Sequence, residues 1–351
     1  MENQNQTPHK RRVRYKGKYP KKFEEKYKEL QPEKYKDTIE HGIQKVNTPA
    51  GMHISIMVKE IIDFLNIQPG EIGFDATLGY GGHTKAMLKC LNGKGHIYAT
   101  DVDPEESDKT KKRLADQGFG EDLLTVKLQN FCTIDEIAKE VGGFDFILAD
   151  LGVSSMQIDN PKRGFSFKVD GPLDLRLNQD AGISAAERLD TITRDELAGM
   201  LYENSDEPYC EELAKAITDE IRKGNRIDTT TKLRQVIEKT LDFLPEKEKK
   251  DTIKKTCQRT FQALRIDVNR EFEVLYEFME KLPDALRPGG RVAILTFHSG
   301  EDKLVKKALK EGYKAGIYSD YAKDVIRPSA QECAQNGRAR STKMRWAVKN
   351  K

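Results

Sequence analysis

A glycine-rich turn follows the first predicted strand and suggests a ligand-binding loop. In FDATLGYGGHT, residues 74–84, an apolar run ends at Asp75, and glycines then lead into a predicted helix. A turn of this kind can hold the pyrophosphate of a dinucleotide, another adenosine-containing cofactor, or no ligand. The dinucleotide motif is G-x-G-x-x-G, and Gly79 and Gly81 supply only its first two glycines, because Thr84 occupies the third position. The turn alone therefore leaves three alternatives open.

Acidic residues end two of the predicted strands and narrow these alternatives. Asp101, 22 residues after Gly79, ends the strand HIYATD, with Asp103 as the alternative. A carboxylate there accepts hydrogen bonds from the hydroxyls of a ribose, so turn and acid together favour an adenosine cofactor. Asp150 ends the apolar strand FDFILAD. The later stretch LRPGGRVAILTF resembles the fifth strand of S-adenosylmethionine methyltransferases, which favours methyl transfer over hydride transfer.

Alternating strand and helix patterns determine where these residues lie. The strands EIGFDATLG, HIYATDVD, DLLTVKLQNF and FDFILADLG are separated by helical segments, which predicts an α/β fold with a parallel sheet covered on both faces. Residues from about 156 to 260 show loops and helices without a strand pattern. QALRIDVNREFEVLYEFMEKL predicts one long helix, and STKMRWAVKN predicts an antiparallel edge strand.

Composition and charge restrict the class of protein. The 351 residues contain no apolar run near the roughly 18 residues of a membrane span, and no signal peptide pattern. Five cysteines are scattered without metal-ligand spacing, which predicts a cytoplasmic protein without a metal site. Residues 1–36 hold 12 lysines and arginines against 5 acidic residues, a net charge of +7, whereas the remainder has 48 basic and 52 acidic residues. This basic arm is either an RNA contact or a solubilising tail.

Several long stretches resemble one enzyme family. DATLGYGGHT, DLGVSSMQIDNPKRGFSFKVDGPLDLR, RTFQALRIDVN, FHSGED and RARSTKMR are similar to the bacterial 16S ribosomal RNA cytosine-N4 methyltransferases, the MraW family. The resemblance implies a doubly wound, Rossmann-like class I methyltransferase sheet with an inserted helical domain. The expected organisation is a basic, disordered arm at 1–50, a methyltransferase domain at 51–158 and 262–351, and an inserted helical, substrate-recognition domain at 159–261.

The resemblance also implies S-adenosylmethionine as cofactor and a set of residues that contact it. These are Gly81, Gly82, His83, Asp101, Phe131, Asp150 and Gln157. Each has a purely structural alternative: the glycines permit positive φ, Phe131 is ordinary core, and Gln157 caps a loop.

The implied reaction moves a methyl group to the exocyclic amine of cytosine, whose lone pair is delocalised into the ring. An acceptor for its N–H would help the lone pair to localise. Asp150 is the first candidate for this acceptor, or for holding the methionine part of the cofactor; Asp170 and Asp174 are further candidates. Many amino methyltransferases carry Asp/Asn-Pro-Pro-aromatic here, whereas this chain has Asp-Leu-Gly-Val, so the catalytic role cannot be transferred from them.

Basic and aromatic residues provide candidates for RNA binding. NPKRGFSFKVDGPLDLR, residues 160–176, is the expected substrate-facing loop. Its rings are candidates for base stacking, with a short buried strand as the alternative, and its cations are candidate phosphate contacts. A second basic cluster lies near the end of the sequence, whereas His298 is expected to be structural. The candidates are Lys162, Arg163, Phe165, Phe167, Arg176, Arg338, Arg340, Lys343 and Arg345.

Departures from the family pattern leave the target base open. NSDEP stands at 204–208 in place of Tyr-Gly-Glu-Glu-Arg, KTCQ at 255–258 in place of His-Pro-Ala-Thr, and FHSGEDK in place of FHSLEDR. The leading hypothesis is methylation of a decoding-region cytosine of 16S rRNA in the small ribosomal subunit. Alternatives are another cytosine or RNA, a non-catalytic RNA-binding or ribosome-assembly protein, and a nicotinamide dehydrogenase. The oligomeric state stays open, with a homodimer among the candidates.

Overall fold

A single seven-stranded sheet organises the part of the chain that the structure describes, residues 55–351 of a computed structural model. The predicted basic arm at 1–50 lies outside the described residues. The strand order is β3-β2-β1-β4-β5-β7-β6. The strands are β1 Ile72–Asp75, β2 His96–Asp101, β3 Leu124–Leu128, β4 Phe144–Asp150, β5 Leu286–Thr296, β6 Tyr318–Tyr321 and β7 Lys343–Lys349.

Helices cover both faces of this sheet and form the segment between β4 and β5. They are α1 Val58–Leu65, α2 Gly82–Leu91, α3 Pro104–Ala115, α4 Ile134–Val141, α5 Ser155–Asp159, α6 Ala185–Thr191, α7 Arg194–Ser205, α8 Cys210–Arg222, α9 Thr230–Thr240, α10 Glu246–Asn269, α11 Glu271–Ala285, α12 Ser299–Lys314 and α13 Ala330–Gln335. In residues 55–351 we find no helix with the length and apolar character that crossing a membrane requires.

The sheet forms where apolar strands are buried on both sides. In β4 the residues from Phe146 to Ala149 are 0% exposed, as expected for a central strand of a parallel sheet. One face packs against α4 and α11 through residues such as Phe144 and Phe278, and the other packs against α1 and α2 through residues such as Leu65. Strands β1 to β5 are parallel and β7 is antiparallel. The predicted α/β fold, with a doubly wound sheet covered on both faces, is confirmed.

The last strand has the predicted direction but a different place in the sheet. β7 pairs antiparallel with β5, and its other side pairs with β6. The prediction of an edge strand was therefore wrong, because the short β6 adds a further strand beyond it. Met344 and Ala347 in β7 are completely buried, as expected for an interior strand.

The single long helix predicted over 262–282 was also wrong. The helix breaks at Arg270, whose φ of 51° lies in the left-handed region. The N–H of Arg270 donates to the carbonyl of Asp267 at 3.1 Å and so ends α10. Helix α11 starts at the next residue. A helix end in the left-handed conformation usually uses glycine, which is absent here.

Helices α6 to α10 surround a hydrophobic core of their own. Leu197, Leu213, Leu233, Phe261 and Leu264 belong to it. All of residues 156–260 are described, and they form helices and loops with a single isolated bridge between Pro172 and Thr229. The boundaries at 159 and 261 stay predictions, and α10 runs continuously across the second of them.

Candidate active site

The glycine turn between β1 and α2 is closed by hydrogen bonds to neighbouring elements. The N–H of Gly79 donates to Oδ2 of Asp101 at 2.7 Å, and Oγ1 of Thr110 donates to the Gly79 carbonyl at 2.6 Å. Gly81 has φ 75°, and a Cβ there would lie 2.7 Å from Cγ2 of Thr110. The turn therefore requires glycine at 81 for both its backbone conformation and its space.

We expect Gly81→Ala to lower the free energy of unfolding by about 2–4 kcal/mol, which combines the left-handed backbone cost with overpacking. The neighbour cannot rotate away without cost, because Thr110 is fixed by its own hydrogen bond. Gly118→Ala is the matched control: its φ is 89°, but nothing lies within 4 Å of an added Cβ, so a loss of only about 1 kcal/mol is expected. Urea unfolding measures both, and equal losses would contradict the steric part of the argument.

Asp101 lies at the carboxyl end of β2 beside this turn. Besides Gly79, its carboxylate accepts a hydrogen bond from the N–H of Asp103 at 2.9 Å. Burial raises the pKa of Asp101 to about 6. A largely desolvated carboxylate in this position can accept hydrogen bonds from ligand hydroxyls, which is the role predicted for it.

Both carboxylate oxygens of Asp103, the alternative acid, accept hydrogen bonds from protein groups. Its Oδ1 accepts from the N–H of Glu106 at 3.2 Å and caps α3. Its Oδ2 accepts from Nη1 of Arg163 at 2.6 Å and from Nε2 of Gln157 at 3.0 Å. These contacts favour Asp101 as the acid that meets a ligand. Gln157 also forms a capping box with Ser154, which is the structural alternative named for it, and its predicted cofactor contact remains a prediction.

Asp75, at the end of β1, is a residue to which the sequence pattern assigned no role. It is 1% exposed, and Oγ1 of Thr84 donates to its Oδ2 at 2.7 Å. Burial raises the pKa of Asp75. The contact explains Thr84 at the third position of the glycine motif, because a glycine there would leave the buried carboxyl without this donor. The position of Asp75 at the end of a strand is the feature of the sequence that could have indicated a role in the site.

His83 and Asp150 form a pair across the strand ends. Nδ1 of His83 lies 3.3 Å from Oδ2 of Asp150, and Nε2 lies 2.8 Å from the Ile56 carbonyl, to which it must donate. Burial disfavours the imidazolium, but the hydrogen bond and charge of Asp150 outweigh it, so that the pKa of His83 is raised. Oδ1 of Asp150 is buried and has no hydrogen-bond partner in the described part of the chain. This oxygen is available to a donor from a ligand.

Phe131 begins the 3₁₀ turn after β3 and is partly buried. Its ring packs edge-on against Phe278 with centroids 5.2 Å apart. The packing holds the ring in place, and its contact with an adenine stays a prediction.

Asp174 and Asp170 differ in their surroundings. Both oxygens of Asp174 bind Arg176, with Nε at 2.7 Å and Nη2 at 3.0 Å, and Gln179 donates at 3.0 Å. Burial favours protonation, but these hydrogen bonds outweigh it and lower the pKa of Asp174. Asp170 is exposed. Their catalytic roles stay predictions, and no contact among residues 55–351 joins either carboxyl to Asp150.

The two rings of the predicted substrate-facing loop pack into the helical core. Phe165 is 9% exposed, and Phe167 packs against Phe261 with centroids 5.8 Å apart. Neither lies in a strand. This packing favours a structural role for Phe165, while base stacking by either ring stays untested.

The predicted basic residues are paired to different degrees. Arg345 is 4% exposed and donates to Asp302 at 2.6 Å, and Lys343 donates to the same carboxylate at 2.8 Å. Arg338 pairs with Asp159 at 2.8 Å, while Arg340 and Lys162 are exposed. The last two are the most accessible of these candidates for a phosphate contact.

His298 lies where β5 ends, at the N-terminus of α12. Its Nε2 lies 3.1 Å from Oε1 of Glu301. In residues 55–351, Glu271, His298 and Glu301 bring their ligand atoms within 4.8 Å of one another, a spacing that a metal ion could use. Glu271 already binds Arg265 through both oxygens, at 2.7 and 2.8 Å. We therefore interpret the group as a charge network that joins α10, α11 and α12.

The sheet order, the glycine turn and the acids at three strand ends define a class I methyltransferase. The family model of the MraW methylase family matches residues 50–350, and the chain belongs to this family. The protein is thus a methyltransferase, which excludes the dehydrogenase alternative.

Named relatives match over nearly their whole length. Ribosomal RNA small subunit methyltransferase H 1 of Agathobacter rectalis is 87% identical, over 97% of this chain and 98% of that protein. The protein of the same name from Lachnoclostridium phytofermentans is 69% identical, over 99% and 95%. Ribosomal RNA small subunit methyltransferase H 2 of Alkaliphilus metalliredigens is 61% identical, over 97% of each chain.

Proposed function

We propose that the protein transfers a methyl group from S-adenosylmethionine to the N4 amine of a cytosine in the decoding region of 16S rRNA. The observation that carries the proposal is the buried, unpartnered Oδ1 of Asp150, held at the end of β4 by its pairing with His83. The ribosomal RNA methyltransferase names of relatives up to 87% identical support the RNA substrate.

The residues at the strand ends fit the proposed cofactor. Asp101 offers a partly buried carboxylate to ribose hydroxyls, and Phe131 offers an aromatic surface to an adenine. Gly81 and Gly82 shape the turn beside them, because an added Cβ would press on Thr110 at position 81 and on Ser55 at position 82. When bound, S-adenosylmethionine would supply a methyl group on a positively charged sulfur.

Asp150 is the proposed proton acceptor. One oxygen faces His83, which fixes the carboxylate, and the other is available to the N–H of the cytosine amine. Accepting this proton as the carbon–nitrogen bond forms would make the amine lone pair available. A charged His83 would also stop the carboxylate from turning away, because Nε2 is anchored to the Ile56 carbonyl.

The RNA would be recognised outside the sheet. We propose residues 159–261 as the inserted substrate-recognition domain, since helices α6 to α10 have their own core. Arg340 and Lys162 are proposed phosphate contacts because both are exposed. The assembled or assembling small subunit is the proposed partner, and the cytoplasm is the proposed location.

Mapping of the modified nucleotide tests the proposal directly. Small-subunit rRNA from a strain that lacks the gene should be missing one N4-methyl group on a decoding-region cytosine by mass spectrometry. Purified protein and S-adenosylmethionine should restore it on subunits from that strain. An unchanged cytosine there, with a methyl group lost elsewhere, would identify a different target base. Calorimetry that detects no binding of S-adenosylmethionine would instead support a non-catalytic RNA-binding role.

Cofactor affinity should depend on pH through Asp101. Its pKa is raised to about 6 by burial, so the carboxylate that accepts hydroxyl hydrogen bonds is present above this pH and lost below it. We expect the Kd for S-adenosylmethionine to rise about tenfold between pH 7 and pH 5, in proportion to the lost carboxylate. Calorimetry across this range measures the effect. Asp101→Asn should bind more weakly but with little pH dependence, and an unaltered pH profile in that variant would assign the titration to another group.

A further inference from the structure

Arg163 is a charged residue that the structure almost completely buries. It ends the 3₁₀ turn Pro161–Arg163 and is 4% exposed. Its Nη1 donates to Oδ2 of Asp103 at 2.6 Å, and Asp103 is 1% exposed. Removing two charges from water offsets much of their attraction, so a buried pair of this kind contributes little net stability. We therefore interpret the burial of Arg163 as serving to position the chain around it, and not to stabilise the fold.

The same guanidinium closes a loop of the chain. Its Nη2 donates to the carbonyl oxygens of Arg176 at 3.1 Å and Leu177 at 2.6 Å. The Arg163 carbonyl accepts a hydrogen bond from the N–H of Leu175 at 3.1 Å. Residues 161–177, here called the 161–177 loop, are thus held together at their two ends by one side chain. This loop contains most of the segment predicted to face the substrate.

Asp103 connects the 161–177 loop to the candidate cofactor site. Its N–H donates to Oδ1 of Asp101 at 2.9 Å, so the partner of Arg163 also contacts the proposed ribose-binding acid. Asp103 cannot move freely, because it caps α3 and accepts from Gln157. Nε of Arg163 is buried without a hydrogen-bond partner in the described residues. The pair thus lies at this junction although one donor of the guanidinium, Nε of Arg163, forms no hydrogen bond within the described residues.

We infer that the Asp103–Arg163 pair fastens the 161–177 loop to the cofactor site and thereby couples RNA binding to methyl-donor binding. The inference rests on the proposed function, because it takes RNA as the ligand of the loop and S-adenosylmethionine as the ligand at Asp101. Coupling between two binding sites is reciprocal, so each ligand should favour the other. Arg163 then acts as a positioning residue, and not as the phosphate contact that its sequence context predicted.

A double variant separates this role from simple stability. Arg163→Met alone would leave a buried carboxylate unpaired and risks unfolding the protein. Arg163→Met with Asp103→Asn removes both charges and keeps a residue that can cap α3. Arg163→Lys retains the charge but cannot reach all three acceptors of the planar guanidinium. The matched control is Arg291→Met with Glu71→Gln, an ion pair with a distance of 2.7 Å at the opposite edge of the sheet.

Hydrogen exchange with and without S-adenosylmethionine is the primary measurement. In the unaltered protein, the donor should slow amide exchange in residues 164–177. In the double variant, these amides should exchange about tenfold faster and gain no protection from the donor, as expected when the coupling is lost. Arg163→Lys should fall between the two. The control double variant should show the same exchange in the 161–177 loop as the unaltered protein, even if its Tm is lower.

Kinetics on RNA provide the second measurement. We expect the KM for RNA to rise about tenfold or more in the double variant, within the usual range of coupling between sites. The donor Kd without RNA should change by less than about threefold, because Asp101 is retained. Exchange and KM equal to those of the unaltered protein would overturn the inference. Since the exchange measurement needs neither RNA nor turnover, it distinguishes this failure from failure of the proposed function.

Discussion

Asp150→Asn is expected to lower the rate of methyl transfer by about 100-fold to 10,000-fold, the usual contribution of a positioned general base. Without the charge of Asp150 the buried His83 is neutral, and because its Nε2 donates to Ile56, its Nδ1 accepts from the amide NH₂. The amide oxygen then lies where the unpartnered Oδ1 lies. This amide oxygen can accept a hydrogen bond from the cytosine amine but is too weakly basic to take its proton. Single-turnover transfer from labelled S-adenosylmethionine to small subunits measures the rate at saturating donor.

The same experiment decides between the two roles considered for Asp150. If the carboxylate holds the methionine part of the cofactor, the Kd should rise while the single-turnover rate at saturation stays the same. Asp145→Asn is the control because Asp145 lies at the other end of β4, where it pairs with Arg287 at 2.7 Å. We expect this control to affect stability but not the rate of transfer.

Asp101→Ala is expected to weaken binding of S-adenosylmethionine by about 2–3 kcal/mol, which corresponds to a roughly 30-fold to 150-fold rise in Kd. The substitution removes the acceptor for the ribose hydroxyls and also the partner of the Gly79 N–H in the turn. Calorimetry measures the affinity. Asp116→Ala provides a control, because this aspartate is exposed at the end of α3. Equal affinity of Asp101→Ala and the unaltered protein would mean that the ribose is held elsewhere.

The arrangement of the turn and the acids could be predicted because it depends on local pattern. Glycines at 79 and 81 follow one strand, and Asp101 and Asp150 end two others. Parallel strands bring their carboxyl ends to one edge, so residues at strand ends meet there whatever the details of packing. The contact between Gly79 and Asp101 follows from this rule.

The partners of charged side chains could not be predicted in the same way. Arg163 resembles a phosphate contact in the sequence, but its carboxylate partner lies 60 residues earlier in the chain. Arg345 has its partner 43 residues earlier, in Asp302. Periodicity shows which face of an element is apolar and does not show which distant charge a side chain will meet.

The errors in secondary structure have a similar origin. Nothing in the residues around Arg270 interrupts the helical pattern, because neither glycine nor proline is present there. The left-handed conformation at this residue depends on the packing of the helices on each side of it. β6 contains only four residues with two exposed side chains, so its pattern is too short to distinguish from a loop. Its pairing with β7 decides its conformation.

The position of β7 between β5 and β6 has a consequence for incomplete chains. A chain cut before Lys343 would lose the strand that pairs on both sides, and β5 would then present unpaired backbone groups on the side away from β4. The apolar residues Val292, Ile294 and Leu295, all 0% exposed in the intact fold, lie on that strand. An unpaired apolar strand is a template for aggregation. Truncated products of this protein should therefore accumulate as insoluble material, without forming a smaller enzyme.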